Sequence, residues 1–173
     1  MLIRREVPVD EDGIRKVHAE AFAPAYPEGR PVEPGLVDAL RVSEAWIPVL
    51  SLVAEIDGDV VGHVCVTRAT LLPGDHPVLG LGPLGVLPQR QKLGVGSALM
   101  HAVLGAADAL DEPLVVLLGH PSYYPRFGFR PAAELGIDPG VPEWGAAFQA
   151  RPLTTYRTEL RGRFRYAAPF EEL

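Results

Sequence analysis

The sequence predicts a mixed α/β (α+β) fold, with helices flanking a sheet that holds both antiparallel and parallel strands. Three stretches predict it. Leu50 to Ile56 and Val60 to Thr67 are β-rich runs joined by Asp57-Gly58-Asp59. An Asp-Gly pair between two such runs signals an antiparallel hairpin. Pro83 to Leu110 holds a short apolar run stopped by Pro88, a glycine turn, and then Val95, Leu99, Val103, Ala106 and Leu110 at helical spacing. Leu114 to Leu118 is a continuous apolar run of the length of a strand buried on both faces. Strand, helix and strand in succession imply a parallel crossover.

The remaining elements follow in chain order. Leu2 to Val7 reads as a first strand, ended by Pro8. Asp10 or Asp12 is placed to cap a helix that runs through Phe22, with Ile14, Val17, His18, Ala21 and Phe22 on one face. The proline-rich segment Pro24 to Pro34 reads as a loop, and Leu36 to Trp46 as a short second helix. Thr70 to Gly80 has turn residues and no period, so it reads as a loop before a long fourth strand from Val78 to Leu87. Ser122 to Arg126 forms one helical turn, and Phe127-Gly128-Phe129 begins another strand. Ala146 to Arg151 and Gly162 to Tyr166 are short β-like pieces in a proline-rich tail. With no internal repeat and no low-complexity linker, residues 1–173 read as one domain, a core of about 1–135 and a strand-rich extension of about 136–173.

Composition narrows the function. The hydrophobic fraction of 47% and charged fraction of 22% are those of a soluble globular protein. No apolar run approaches the ~18 residues of a membrane helix, and the N-terminus lacks a signal-peptide core. A cytoplasmic location without membrane association is the expectation. Cys65 is the sole cysteine, which excludes an intrachain disulfide. The five histidines are scattered without metal-ligand spacing, so no metal site is expected. A net charge of −6 argues against a nucleic-acid partner. It fits a solvated surface first and a cationic acceptor, such as an amine, second.

The glycine turn carries the chemistry. The first amides of a helix lack intrahelical partners, and the helix dipole places partial positive charge there. Gly94 and Gly96 let the backbone bend and remove side chains that would hold a ligand away. Arg90 and Lys92 add full charge at the same place. The product is a site for phosphate oxygens. The turn does not fit G-x-x-x-x-G-K-[ST], and Leu99 stands where a dinucleotide fingerprint needs a third glycine. Gly80, Gly82 and Gly85 do spell G-x-G-x-x-G, but an apolar run and Pro88 follow them instead of a helix.

What the turn does match is Q/R-x-x-G-x-G/A, in Gln91-Lys92-Leu93-Gly94-Val95-Gly96. It resembles the acetyl-CoA pyrophosphate loop of the GNAT superfamily of N-acetyltransferases. Leu84-Gly85-Val86-Leu87-Pro88 is similar to that family's fourth strand and exit proline, and Tyr124-Pro125-Arg126-Phe127-Gly128-Phe129 to its Tyr-x-x-x-Gly-Phe segment. The resemblance is strong from about Leu50 to Pro131 and thin on either side. Gly162 to Tyr166, with Phe170, resembles one bacterial branch whose substrates are mostly undefined.

The resemblance implies a mostly antiparallel sheet with a central parallel pair that splays apart. It implies acetyl-CoA as cosubstrate and transfer to a primary amine of a small or peptide acceptor, by a monomer or homodimer. Gln91, Lys92, Leu93, Gly94, Val95, Gly96 and Ser97, with Arg90 beside them, would take the pyrophosphate. The backbone of Leu84, Gly85 and Val86 would pair with the pantetheine arm like an added strand, the Val86 N–H serving as oxyanion donor. Tyr124 is the candidate general acid, with Tyr123 one residue away from the same role. His120 ranks first as base; His63, Glu20, Glu44 and a bound water are the alternatives, as is an amine that arrives neutral. The family often carries a carboxylate on its fourth strand, and Leu84 to Leu87 has none. Gly119-His120-Pro121-Ser122 stands where many relatives have an asparagine, with Ser122 a substitute that could cap the short helix. The first two helices and their loop would wall the acceptor pocket. Two rival readings are a non-catalytic acyl-CoA-binding or sensor module and a nucleotide-binding protein using the same turn.

Overall fold

The computed structural model describes residues 1–172. Nine strands form one mixed sheet: β1 (Leu2–Arg5), β2 (Ser51–Ile56), β3 (Asp59–Leu72), β4 (His76–Val86), β5 (Leu114–Leu118), β6 (Arg130–Pro131), β7 (Ile137–Asp138), β8 (Phe148–Pro152) and β9 (Gly162–Arg165). The main path runs β1-β2-β3-β4-β5-β8-β6. Along it every pair is antiparallel except β4–β5, which is parallel. The short pair β7–β9 is parallel as well, and β9 lies antiparallel against the far end of β3. The tail strands therefore share the sheet of the rest of the chain.

Helices α1 (Glu11–Phe22), α2 (Glu33–Arg41) and α3 (Val95–Ala109) flank the sheet. Adjacent residues of β3 show how. A Cβ on Gly62 would meet Leu99 and Val95 of α3, whereas the ring of His63 meets His18 of α1. Successive strand residues face opposite ways, so α1 and α3 cover opposite faces. Val95, Leu99, Met100 and Val103 are buried on the α3 side, and Ile14, Leu36, Val37 and Leu40 under α1 and α2. Leu71, Val116, Phe148 and Phe164 form a further apolar cluster beneath the tail.

Several expectations need correction. The segment 70–80 is a hairpin, not a loop. Thr70 pairs with Pro77 and Leu71 with His76, so only Pro73–Asp75 turns, with Gly74 at φ +103°. Ala69 and Leu71 are buried, and β9 pairs with the same end of β3, which keeps it extended. The second helix starts earlier and stops sooner than its apolar spacing suggests. Pro34 falls in its first turn, where a missing N–H costs nothing. Leu40 O accepts from both the N–H and the hydroxyl of Ser43, which closes the helix before Trp46. Asp10 stands at the N-cap of α1 but does not cap it; its carboxylate takes Arg4 and the Val7 N–H instead. Ser122 does not cap either. The helical turn is Tyr124–Phe127, Gly128 ends it at φ +85°, and the next strand waits until Arg130.

Candidate active site

The parallel pair opens where the resemblance requires a gap. Leu79 pairs with Val115 and Gly80 with Val116; beyond that β5 ends at Leu118 while β4 continues to Val86. Backbone alternation then sets which groups face the gap. The Leu87 N–H donates to Val61 O on β3. In an antiparallel ladder alternate residues point to the partner and away from it. Leu84 and Val86 therefore project their amides away from β3, past the end of β5. The Val86 carbonyl faces the same way and accepts from Gln91 Nε2 at 3.0 Å. The Gln91 side chain thus ties the glycine turn to the end of β4.

Beyond that edge lies the turn. Lys92 and Gly94 take positive φ of +61° and +87°, reversing the chain into α3. The first helical bond runs from Ala98 N–H to Gly94 O, which leaves the amides of Val95, Gly96 and Ser97 without intrahelical acceptors. A cavity of about 450 Å³ sits over them, lined by Lys92, Gly94, Gly96, Ser97, Tyr123 and Arg126. Arg90, Gln91, Leu93 and Val95 are not among its lining residues; Val95 is buried in the core and Leu93 is exposed. The second cation comes instead from Arg126. Its guanidinium stacks 4.7 Å from the Tyr123 ring centre and donates to Tyr123 O at 2.8 Å. Sequence reasoning missed Arg126 in this role. The available signal was a cation inside the aromatic Tyr-x-x-x-Gly-Phe segment, after the second strand of the crossover.

A second cavity, of about 590 Å³, adjoins the β4–β5 gap. Leu81 to Leu84 and Leu118 to His120 form its sheet side, with Tyr123 and Tyr124 beside them. Phe22, Glu33 and Leu36 come from the α1–α2 wall, and Trp144, Tyr166 and Phe170 from the tail. Tyr123 lines both cavities and is the residue they share. The adjacent tyrosines divide: the Tyr123 hydroxyl lies 2.9 Å from where a Gly96 Cβ would be, while the Tyr124 ring covers Gly119 so closely that a Cβ there would overlap it. Burial, with a smaller contribution from Tyr123, pushes the Tyr124 phenol up to about 12. It therefore holds its proton at neutral pH. Burial also raises the Tyr166 phenol.

Of the candidate bases, His120 alone lines this cavity. It is exposed at the rim, and Gln149 Nε2 holds its loop through Gly119 O at 3.2 Å. Glu20 lies on the surface near Lys16, and Glu44 lines a different cavity. His63 is fully buried in a polar chain. The Ser51 hydroxyl donates to Glu6 Oε2; His63 Nε2 lies 2.9 Å from Ser51 Oγ and 3.2 Å from Glu6; and His63 Nδ1 lies 2.8 Å from His18 Nε2. One tautomer pattern satisfies all of these, with both rings neutral and each Nε2 donating. It leaves His18 Nδ1 as a buried acceptor without a donor, 2.8 Å from where a Gly85 Cβ would be. Burial lowers the pKa of both imidazoles. A separate cavity of about 860 Å³, lined by residues such as Arg68, Asp111 and Arg157, contains none of the predicted site residues.

A splayed parallel pair with a free strand edge, leading from an anion-suited helix start to an aromatic pocket, defines a fold and site suited to an acyl-thioester nucleotide. Comparison with known proteins agrees. Residues 14–129 match the profile of the Acetyltransferase (GNAT) family, and the chain belongs to that family. It is 36% identical to the uncharacterized N-acetyltransferase YjhQ of Escherichia coli K12, over 94% of this chain and 90% of that one. A GNAT family acetyltransferase from Brucella melitensis, solved in complex with acetyl-CoA, is 35% identical with a TM-score of 0.79, covering 98% of this chain and 97% of that one. The N-acetyltransferase YhbS of Escherichia coli, solved in complex with CoA, is 30% identical with a TM-score of 0.85, covering 98% and 91%. Among the described residues no helix is long and apolar enough to cross a membrane.

Proposed function

We propose that this acetyltransferase moves the acetyl group of acetyl-CoA directly to a primary amine, with Tyr124 as general acid. The observation that carries the reading is the shared wall at Tyr123. It is common to the cavity over the Gly94–Ser97 amides and to the cavity that holds Tyr124 and reaches Leu84 on β4. In this reading the amides of the helix start, with Lys92 and Arg126, hold the diphosphate. The outward amides of Leu84 and Val86 hold the amide-bearing arm in strand-like register. The Val86 N–H then polarises the thioester carbonyl oxygen.

The proton balance assigns the remaining role. The amine nitrogen forms its bond to the carbonyl carbon, the C–S bond breaks, and sulfur needs a proton as nitrogen loses one. Tyr124 donates to sulfur and is recharged by the proton leaving nitrogen. A phenol raised to about 12 is a weak acid beside a thiol of pKa about 8.5. The same burial penalises the thiolate, however, and the positive charge on the attacking nitrogen favours the phenolate. Both shift the transfer toward sulfur. His120 at the pocket rim is the residue best placed to take the proton of an arriving ammonium.

Replacing Tyr124 with Phe tests this. The ring would keep its packing against Tyr123 and Phe129. In a thiol-release assay with an amine panel, kcat falls by about 10²- to 10³-fold, as expected for a lost general acid. CoA affinity by calorimetry stays within about twofold of the parent. Unchanged turnover eliminates Tyr124 as the acid. A parent protein that binds CoA but releases no thiol with any amine is instead an acyl-CoA-binding module.

A further inference from the structure

The aromatic cavity contains one carboxylate, and the fold leaves it without a cation. Glu33 is the only acidic residue among those lining the cavity. Its Oε1 accepts from the Tyr26 hydroxyl at 3.2 Å. Its Oε2 is shielded from water and has no hydrogen-bond donor. Asp38, further along α2, is treated differently: Arg15 and Arg41 both pair with it, at 2.8 Å each. Among the described residues no ion pair includes Glu33. As the first residue of α2 it benefits from the helix dipole, which accounts for an acid at that position. The dipole does not supply the missing donor. Glu33 is therefore the negative charge in the cavity lining, and among the described residues no cation pairs with it.

The surroundings say what kind of ligand. Phe22, Trp144, Tyr166 and Phe170 give the cavity aromatic walls, suited to a flat or apolar body and, at their faces, to a positive charge. We propose that Glu33 selects the acceptor by charge: the cavity takes an organic cation whose apolar or aromatic body lies between the tail aromatics and whose ammonium nitrogen bonds the Glu33 carboxylate. This rests on the reading that the cavity receives the acetyl acceptor. It narrows that acceptor to amines that arrive protonated and carry an apolar body.

The test uses CoA-saturated protein, so that no acetyl group is present and binding is read apart from transfer. Calorimetry compares 2-phenylethylamine with 2-phenylethanol, which match in shape and differ in charge. The parent protein binds the amine at least about tenfold more tightly. Glu33→Gln brings the two within about twofold, Glu33→Asp restores part of the preference, and neither changes CoA affinity. Equal binding of the two probes by the parent, or a preference that survives Glu33→Gln, overturns the proposal. A measurement on the parent alone guards against a variant that fails to fold. Raising ionic strength from about 0.05 to about 0.5 M shrinks a charge-based preference, and a salt-independent preference also overturns the proposal. Absence of thiol release with acetyl-CoA would refute the transfer reading and leave this binding result standing.

Discussion

Gly94 and Gly96 separate the backbone's two demands at the anion site, and substituting each in turn tests the site. Gly94 has φ +87° with no atom within 4 Å of where a Cβ would stand, so Gly94→Ala meets strain without a clash. The left-handed region costs a non-glycine residue roughly 1–2 kcal/mol, and thermal stability falls accordingly. Gly96 lies in the first turn of α3 with ordinary φ, and its Cβ would stand 2.9 Å from the Tyr123 hydroxyl and 3.7 Å from Val86 Cγ2. Alanine is favoured over glycine in a helix by up to about 1 kcal/mol, and the phenol end can shift by a few tenths of an ångström. Gly96→Ala should therefore leave the melting temperature unchanged or raise it by about 2–4 °C. Its methyl group, however, stands where a diphosphate would meet the amides. Losing one or two hydrogen bonds to a charged group costs about 1.5–3 kcal/mol, which is roughly a 10- to 150-fold loss of CoA affinity. Paired thermal melts and CoA calorimetry read both quantities. A Gly96→Ala protein that melts like the parent and binds CoA within about twofold would refute the claim that these amides grip the diphosphate.

Further expectations concern other parts of the site and its support. Arg126→Ala removes a cation from the cavity over the Gly94–Ser97 amides; if that cavity takes the diphosphate, CoA binding weakens by about tenfold and its salt dependence becomes shallower, both read by calorimetry at two ionic strengths. Gly85→Ala drives a methyl group into His18 Nδ1, 2.8 Å away, and Val17 Cγ1, 3.3 Å away, in a closed core; urea unfolding should show a loss of about 1–3 kcal/mol. Acid should destabilise the fold in two stages. Burial lowers the pKa of His18 and His63 from the ordinary 6.5, so below that pH the unfolded chain takes up protons the folded chain refuses. Burial alone would raise Glu6, but hydrogen bonds from His63, Arg41 and Ser51 outweigh it and hold the carboxyl at about 2. Its contribution is complete above 4.5 and is lost as pH falls toward 2. The urea midpoint should fall steadily below about pH 6.5 and more steeply below 4.5, and Glu6→Gln, less stable at neutral pH, should keep the histidine-driven fall but lose the extra steepening below 4.5. A flat midpoint over that range would refute the neutral-pair assignment.

The expectations that held were those carried by short-range physics. The Asp57-Gly58 hairpin, the amphipathic run of α3 and the strand of Leu114 to Leu118 each arise from neighbours within a few residues. The glycine turn was legible for the same reason, because its φ values and unpaired amides depend on the local chain. The expected loop at 70–80 failed because β9, more than ninety positions later, pairs with the end of β3. His63 alternates like any strand residue in the sequence. Only its contact with Glu6, Ser51 and His18 removes it from the candidates for catalysis.

By itself, the sequence determined the Asp57-Gly58 hairpin, the strand–helix–strand crossover and the glycine turn, since these need only local dihedral preferences and spacing. The tertiary structure decided which side chains share a cavity. Tyr123 common to two pockets, Arg126 beside Lys92, and Glu33 among aromatics from the far end of the chain are meetings of residues distant in sequence. Such meetings are set by how strands pair and helices pack across the whole sheet, and no local rule encodes them.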